Sequence, residues 1–166
     1  MKLVLFRHGL AMEREEAMEK RIDDSMRPLT DKGRERSRRM GKVVLEIAEE
    51  FDVLVSSPLL RAKQTAAVLR EVIPFPQSME CAELVPGSPP EAFARWLSSA
   101  VPRATSVLAV GHEPQLSTFA SWALAGCVET FIDLKKSGAL GLELESFDTV
   151  ASQTAELKWL LPPRLF

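Results

Sequence analysis

The chain has no tyrosine, and holds two histidines and two cysteines among its 166 residues. Without tyrosine there is no phenolic acid or nucleophile. Cys81 and Cys127 are far apart, form no C-x-x-C spacing and follow no signal peptide, because Arg7 interrupts the N-terminal apolar run Leu3–Phe6. A reduced, cytoplasmic protein with two buried, unreactive thiols is expected. No apolar run approaches the roughly 18 residues of a transmembrane helix, so no membrane partner is expected. Neither sign of charge is in excess: 21 basic side chains face 23 acidic ones for a net charge of −2, and no general nucleic-acid surface is implied. Arg34, Arg36, Arg38 and Arg39 read as a solvated helix face. There is no internal repeat and no low-complexity tract.

What is present is a hydrophobic content of 46% in 166 residues, enough for one domain over 1–166, since chains near this length bury about 70% of their unfolded surface. Apolar strands alternate with helical patterns, which predicts an α/β fold with a mainly parallel central sheet flanked by helices on both faces. Thr30 is a good N-cap, and Met40, Val43, Val44, Ile47, Ala48 and Phe51 follow as one helical stripe. Leu116, Phe119, Ala120, Ala123 and Leu124 form a second stripe. Residues 138–147 and 155–161 read as two extended strands joined by a polar turn, a hairpin at one end of the sheet. Residues 86–90 read as a loop near the site, and residues 11–26, rich in acids and bases, as a mobile flap rather than a packed element. Trp96, Trp122 and Trp159 read as packing residues.

Both histidines sit at strand-to-loop corners, where open α/β sheets bind ligands. Leu3–Phe6 ends in Arg7-His8-Gly9, and Ser106–Val110 ends in Gly111-His112-Glu113-Pro114. A third corner follows Val53-Leu54-Val55-Ser56: a serine cap, Pro58 at the first helical turn, then an apolar-faced helix carrying Arg61 near its N-terminus. Helix starts ordinarily prefer acids, so an arginine there reinforces an anion site. A guanidinium offers a planar fork of donors that matches phosphate oxygens. A metal is disfavoured, since a cation between Arg7 and Arg61 would be repelled and no short His/Cys/Asp cluster accompanies either histidine. A lone histidine at a strand end is ordinarily structural, and a lone arginine at a helix start ordinarily pairs with a carboxylate. Arg7, His8, Arg61 and His112 together, at such corners, favour a catalytic site.

These segments resemble the histidine phosphatase superfamily, whose fold is phosphoglycerate-mutase-like. Arg7-His8-Gly9 fits its R-H-G signature, and Leu29-Thr30-Asp31-Lys32-Gly33 its L-T-x-x-G helix start. Ser56-Ser57-Pro58-Leu59-Leu60-Arg61-Ala62-Lys63-Gln64-Thr65-Ala66 fits S-S-P-x-x-R-A-x-Q-T-A, and Gly111-His112 the late G-H. Within the superfamily the short chain, with Arg27-Pro28-Leu29-Thr30, Lys136-Ser137-Gly138-Ala139 and Trp159-Leu160-Leu161-Pro162, is most similar to SixA-type phosphohistidine phosphatases.

The resemblance implies that His8 attacks phosphorus in line to give a phosphohistidine that water hydrolyses. Neighbouring arginines would lower the imidazole pKa and keep it neutral. Arg7, Arg61 and His112 would stabilise the phosphoryl oxygens, aided by backbone N–H groups of a helix with Pro114 at its first position. Gly9, Arg27 and Glu113 are candidate substrate contacts, and no cofactor or metal is implied. Family members acting on alcohol phosphates carry a glutamate that protonates the leaving group. Glu83 is offset from the usual pattern and Glu113 follows the second histidine, so either could serve, or neither. A missing acid favours phosphohistidine on a protein, whose imidazole leaves easily. A phosphatase for a small phosphate ester and a non-catalytic phosphate-binding module are the alternatives; the module has no need of a neutral nucleophile. The short segment between Leu84 and Glu91 leaves little chain to wrap a small substrate.

Overall fold

The computed structural model describes residues 1–165; Phe166 lies outside them. Six strands form one sheet: β1 (Lys2–Arg7), β2 (Val53–Ser56), β3 (Gln77–Glu80), β4 (Ser106–Gly111), β5 (Ala139–Leu144) and β6 (Ala155–Leu161). Their order is β3-β2-β4-β1-β5-β6. β1, β2, β3 and β4 pair in parallel, while β5 runs antiparallel to β1 and to β6. The expected mainly parallel sheet is present, with the expected hairpin at one edge.

Side chains alternate across the strands, so each strand feeds two cores. Leu3, Leu5, Val53, Val55, Val107 and Ala109 face one layer, built by α4 (Pro90–Ala100) and α5 (Gln115–Ala125) through Phe93, Leu97, Leu116 and Phe119. Val4, Phe6, Leu54, Leu108 and Val110 face the other, built by α2 (Asp31–Ala48) and α3 (Leu60–Arg70) through Met40, Val44, Ala66 and Leu69. β1, β2 and β4 read as near-continuous apolar runs because both of their faces are covered. Thr30 caps α2 by accepting from the Gly33 N–H at 3.0 Å. No helix among the described residues is long and apolar enough to cross a membrane.

Several expectations change. Residues 11–26 are folded: α1 (Arg14–Glu19) buries Ala17, and Asp24–Met26 form a 3₁₀ turn whose Asp24 pairs with Arg14, Arg27 and Arg61. A stretch this rich in charge has no apolar stripe to read, and long-range ion pairs hold it. α3 begins at Leu60, with Leu59 as N-cap, so Pro58 precedes the first turn, and Ser57 Oγ accepts from the Leu59 N–H at 3.3 Å instead of capping the helix. β3 was not foreseen because, as an edge strand, its Gln77-Ser78-Met79-Glu80 is mostly exposed. Cys81 is buried, but Cys127, just past α5, is half-buried. Trp122 lies in the core, and Trp159 covers Gly141, where an added Cβ would fall 2.3 Å from its ring.

Candidate active site

The C-terminal ends of β1, β2 and β4 lie side by side, because Arg7 is in register with Gly111 and Ser56 with Val110. The ladder continues one step: the His8 N–H donates to the Gly111 carbonyl and the Ser57 N–H to the Val110 carbonyl, each at 3.0 Å. The R-H-G corner, the late G-H corner and the turn into α3 are thereby fixed to one another, and the two imidazole centroids stand 4.9 Å apart.

His8 is 7% exposed, and its Nδ1 lies 2.7 Å from the Gly9 carbonyl oxygen. A carbonyl only accepts, so Nδ1 carries the proton and Nε2 keeps its lone pair. Burial, then the charges of Arg61, Arg7 and Lys136, push the His8 pKa down to about 3 against the opposing bond to Gly9. The arginine effect expected from sequence is real, but desolvation outweighs it. His112 is 1% exposed; burial, His8 and the arginines lower its pKa to about 2. Its Nε2 lies 2.8 Å from Ser57 Oγ, and its Nδ1 is buried without a partner among the described residues. Both rings are neutral at pH 7.

Above the rings is a cavity of about 410 Å³ lined by Arg7, His8, Arg27, Arg61, His112 and Glu113, with Glu13, Arg14, Glu15 and Lys136 at its edge. Arg61, 2% exposed in the first turn of α3, donates to the Asp24 carbonyl at 2.8 Å and pairs with its carboxylate at 3.3 Å. Arg27 donates from Nε to Asp24 Oδ1 at 2.9 Å and from Nη1 to the Met12 carbonyl at 2.6 Å. Arg7 Nη1 is fixed on the Leu134 carbonyl at 2.7 Å. The Nε atoms of Arg7 and Arg61 are buried without partners among the described residues. Burial lowers both arginine pKa values, opposed by Glu113 for Arg7 and by Asp24 for Arg61. Neutral imidazoles and fixed cations with unpartnered N–H groups suit a tetrahedral oxyanion.

The family model for the histidine phosphatase superfamily (branch 1) matches residues 3–85. The chain belongs to the histidine phosphatase superfamily. An uncharacterised protein of Picosynechococcus sp. is 37% identical over 172 residues, covering 98% of this chain and all of the relative. The structure of the protein histidine phosphatase SixA with tungstate superposes with a TM-score of 0.82 at 24% identity, covering 99% of each chain. A mycobacterial glucosyl-3-phosphoglycerate phosphatase with VO3 does so with a TM-score of 0.70 at 16% identity, covering 97% of this chain and 99% of that one. At these identities the structural likeness is one of fold.

For this histidine phosphatase the structure brings Arg7, His8, Arg27, Arg61, His112 and Glu113 to one cavity. Glu83, in a 3₁₀ turn over Ala82–Leu84, accepts from the Cys81 thiol and is not among the lining residues. Gly9 lies beneath the cavity: its N–H donates to Thr65 Oγ1 at 3.0 Å, and its carbonyl orients His8. Pro114 is the N-cap of α5, one residue before the expected position. The Leu116 and Ser117 N–H groups of that helix are already held, by the His112 carbonyl and by Glu113 Oε1 at 3.2 Å. Glu113 also accepts from the Ser117 hydroxyl, and burial pushes its carboxyl pKa up against that bond and Arg7.

Sequence reasoning missed Asp24, Ser57, Thr65 and Ser137. The motif letters S and T did include Ser57 and Thr65, but nothing local shows that they serve His112 and Gly9. Ser137, at φ 61°, donates its N–H to the Arg7 and His8 carbonyls, and its hydroxyl bonds Ser37 at 3.0 Å.

Proposed function

We propose that this protein, the whole chain acting as one domain, is a SixA-like phosphohistidine protein phosphatase working through a covalent intermediate on His8. The observation that carries the reading is the bond from His8 Nδ1 to the Gly9 carbonyl, which leaves a neutral imidazole with its Nε2 lone pair free. That lone pair forms a bond to phosphorus as the bond to the substrate imidazole nitrogen breaks, and the departing imidazole takes a proton from solvent. Water then attacks the phosphohistidine and releases phosphate, and His8 regains its lone pair. Arg7, Arg61 and His112 hold the equatorial oxygens as charge redistributes. With the Ser57 hydroxyl donating to Nε2 of His112, that ring carries its proton on Nδ1, the buried atom without a partner. Arg27 supplies a further cation. The role needs neither cofactor nor metal, and fits a cytoplasmic setting.

A second reading has its own support. Glu113 lines the cavity with a carboxyl that burial pushes upward, and an acid so placed suits protonation of an alcohol leaving group on a small phosphate ester. The test compares phosphate release from a phosphohistidine-bearing protein, p-nitrophenyl phosphate and a sugar-phosphate panel by wild type, His8→Ala and Glu113→Gln. The expected result is release mainly from phosphohistidine, lost in His8→Ala with the fold intact and little changed in Glu113→Gln. Efficient turnover of a sugar phosphate that falls about 100-fold or more in Glu113→Gln would establish the second reading instead. Turnover retained by His8→Ala would remove the covalent mechanism.

A further inference from the structure

A second cavity, of about 700 Å³, adjoins the histidine cavity and shares Arg7 and Lys136 with it. The sheet register explains why the two meet. Phe6 pairs with Ala139 and Ala139 with Leu161, so the start of β5 and the end of β6 reach the same edge as the end of β1. The residues just outside those strands, Lys135 and Lys136 before β5 and Arg164 after β6, are brought beside Arg7. Arg36, from α2, completes the lining.

The lining holds Arg7, Arg36, Lys135, Lys136 and Arg164 against Asp133 alone among acids. Asp133 is itself paired with Lys135 at 2.6 Å. Among the described residues neither Arg36 nor Arg164 has a carboxylate partner. In a chain of net charge −2, this concentration of one sign against the candidate active site is a local field that favours an anion.

We propose that this groove docks an acidic segment of the phosphorylated protein, seating carboxylates near the phosphohistidine while the phosphoryl group enters between Arg7 and Arg61. The proposal rests on the reading of a protein substrate. Its cations come from four separate parts of the chain, the end of β1, α2, the segment before β5 and the turn after β6, and Arg164 is exposed while Arg36 is half-buried. Cations spread along an open wall suit several carboxylates in a row better than one compact phosphate. Exposed charge pairs of this kind each contribute little and act mainly through encounter rate and partner choice.

The test measures binding directly, by fluorescence anisotropy of a labelled Asp/Glu-rich hexapeptide without phosphate and of its Asn/Gln counterpart. Both are titrated with wild type, with Arg36→Glu/Arg164→Glu and with the milder Arg36→Gln/Arg164→Gln. Wild type should bind the acidic peptide more tightly than the neutral one and lose that preference as salt rises from 0.05 to 0.3 M, which shortens the Debye length from about 14 to about 6 Å. The double reversal should weaken the acidic peptide by about tenfold and leave p-nitrophenyl phosphate hydrolysis and thermal unfolding unchanged. Equal binding of the two peptides by wild type, or unchanged acidic binding by both double variants, would overturn the proposal. Acidic-peptide binding with no phosphohistidine turnover would sink the substrate reading and leave the groove standing. Turnover of phosphohistidine peptides without acidic preference would remove the groove alone.

Discussion

At the scale of single residues, His8 is held by forces of opposite sign. The Gly9 carbonyl favours the protonated ring, whereas burial and three neighbouring cations favour the neutral one, and the balance leaves the pKa at about 3. A nucleophile needs that outcome, since a protonated imidazole has no lone pair to give. The same burial acts on His112 and takes it to about 2. NMR titration of the two imidazoles in phosphate-free buffer should therefore show no midpoint between pH 8 and 5. A midpoint for either ring near 6.5 would mean that the cavity is wetter than the structure has it and that the proposed nucleophile is not pre-set. Arg7, His8, Arg61 and His112 were all legible in the sequence, because each closes or follows a short apolar run and so had to fall at a strand end or helix start. Asp24 was not. Its ion pairs reach Arg61 across 37 positions of chain, and nothing in the local pattern distinguishes it from the other acids of residues 11–26.

At the scale of elements, the motifs are chiefly clamps between secondary structures. Gly33 lets the first turn of α2 press against the R-H-G loop: an added Cβ would lie 2.1 Å from the Leu10 carbonyl oxygen. Gln64 Oε1 accepts from the Leu29 N–H at 2.7 Å, and Thr65 Oγ1 accepts from Gly9 while donating to the Arg61 carbonyl at 2.7 Å. One turn of α3 thus fixes the loop that carries His8 and the segment that leads into α2. Thr65→Val keeps the shape but strands the buried Gly9 N–H, at a cost of about 1–3 kcal/mol. It should lower the melting temperature and, because His8 rides on that loop, lower kcat more than it raises KM, with Thr65→Ser restoring both. Unchanged kcat in a destabilised Thr65→Val protein would limit the clamp to stability. The helices themselves were legible from apolar stripes and from Thr30. Exact starts were less so, since Pro58 and Pro114 are each compatible with a position just before the first turn as well as with one inside it. The α1 segment and β3 escaped because both are short, polar and partly exposed, and are held by partners distant in sequence.

At the scale of the whole molecule, two buried neutral imidazoles at the centre of one sheet edge couple folding to pH. The unfolded chain binds a proton on each histidine below about pH 6.5, while the folded protein resists doing so until about 3 for His8 and about 2 for His112. Stability from this source is full above pH 6.5 and is lost as pH falls from there toward 3, at about 1.4 kcal/mol per pH unit for each histidine. Carboxylates paired in the folded state, such as Asp24 and Asp52, whose pKa values are lowered, add their own loss only at lower pH, since their unfolded reference lies near 3.9. The interval between pH 6.5 and 5 therefore reports chiefly the histidines; the Glu113 carboxyl, which burial pushes upward, acts there in the opposite direction, gaining stability as pH falls. Denaturant unfolding at pH 7.0 and 5.0 in phosphate-free buffer should show wild type losing stability over that interval. His8→Asn and His112→Asn should each lose about half as much, and the double variant should show no loss, with any residual change a small gain from Glu113. Parallel losses in all four proteins would place the acid sensitivity elsewhere. Bound phosphate stabilises the folded protein by mass action, so the same series repeated with phosphate should raise the whole wild-type curve and raise the His112→Asn curve less, because that variant loses the Nδ1 donor that is without a partner among the described residues.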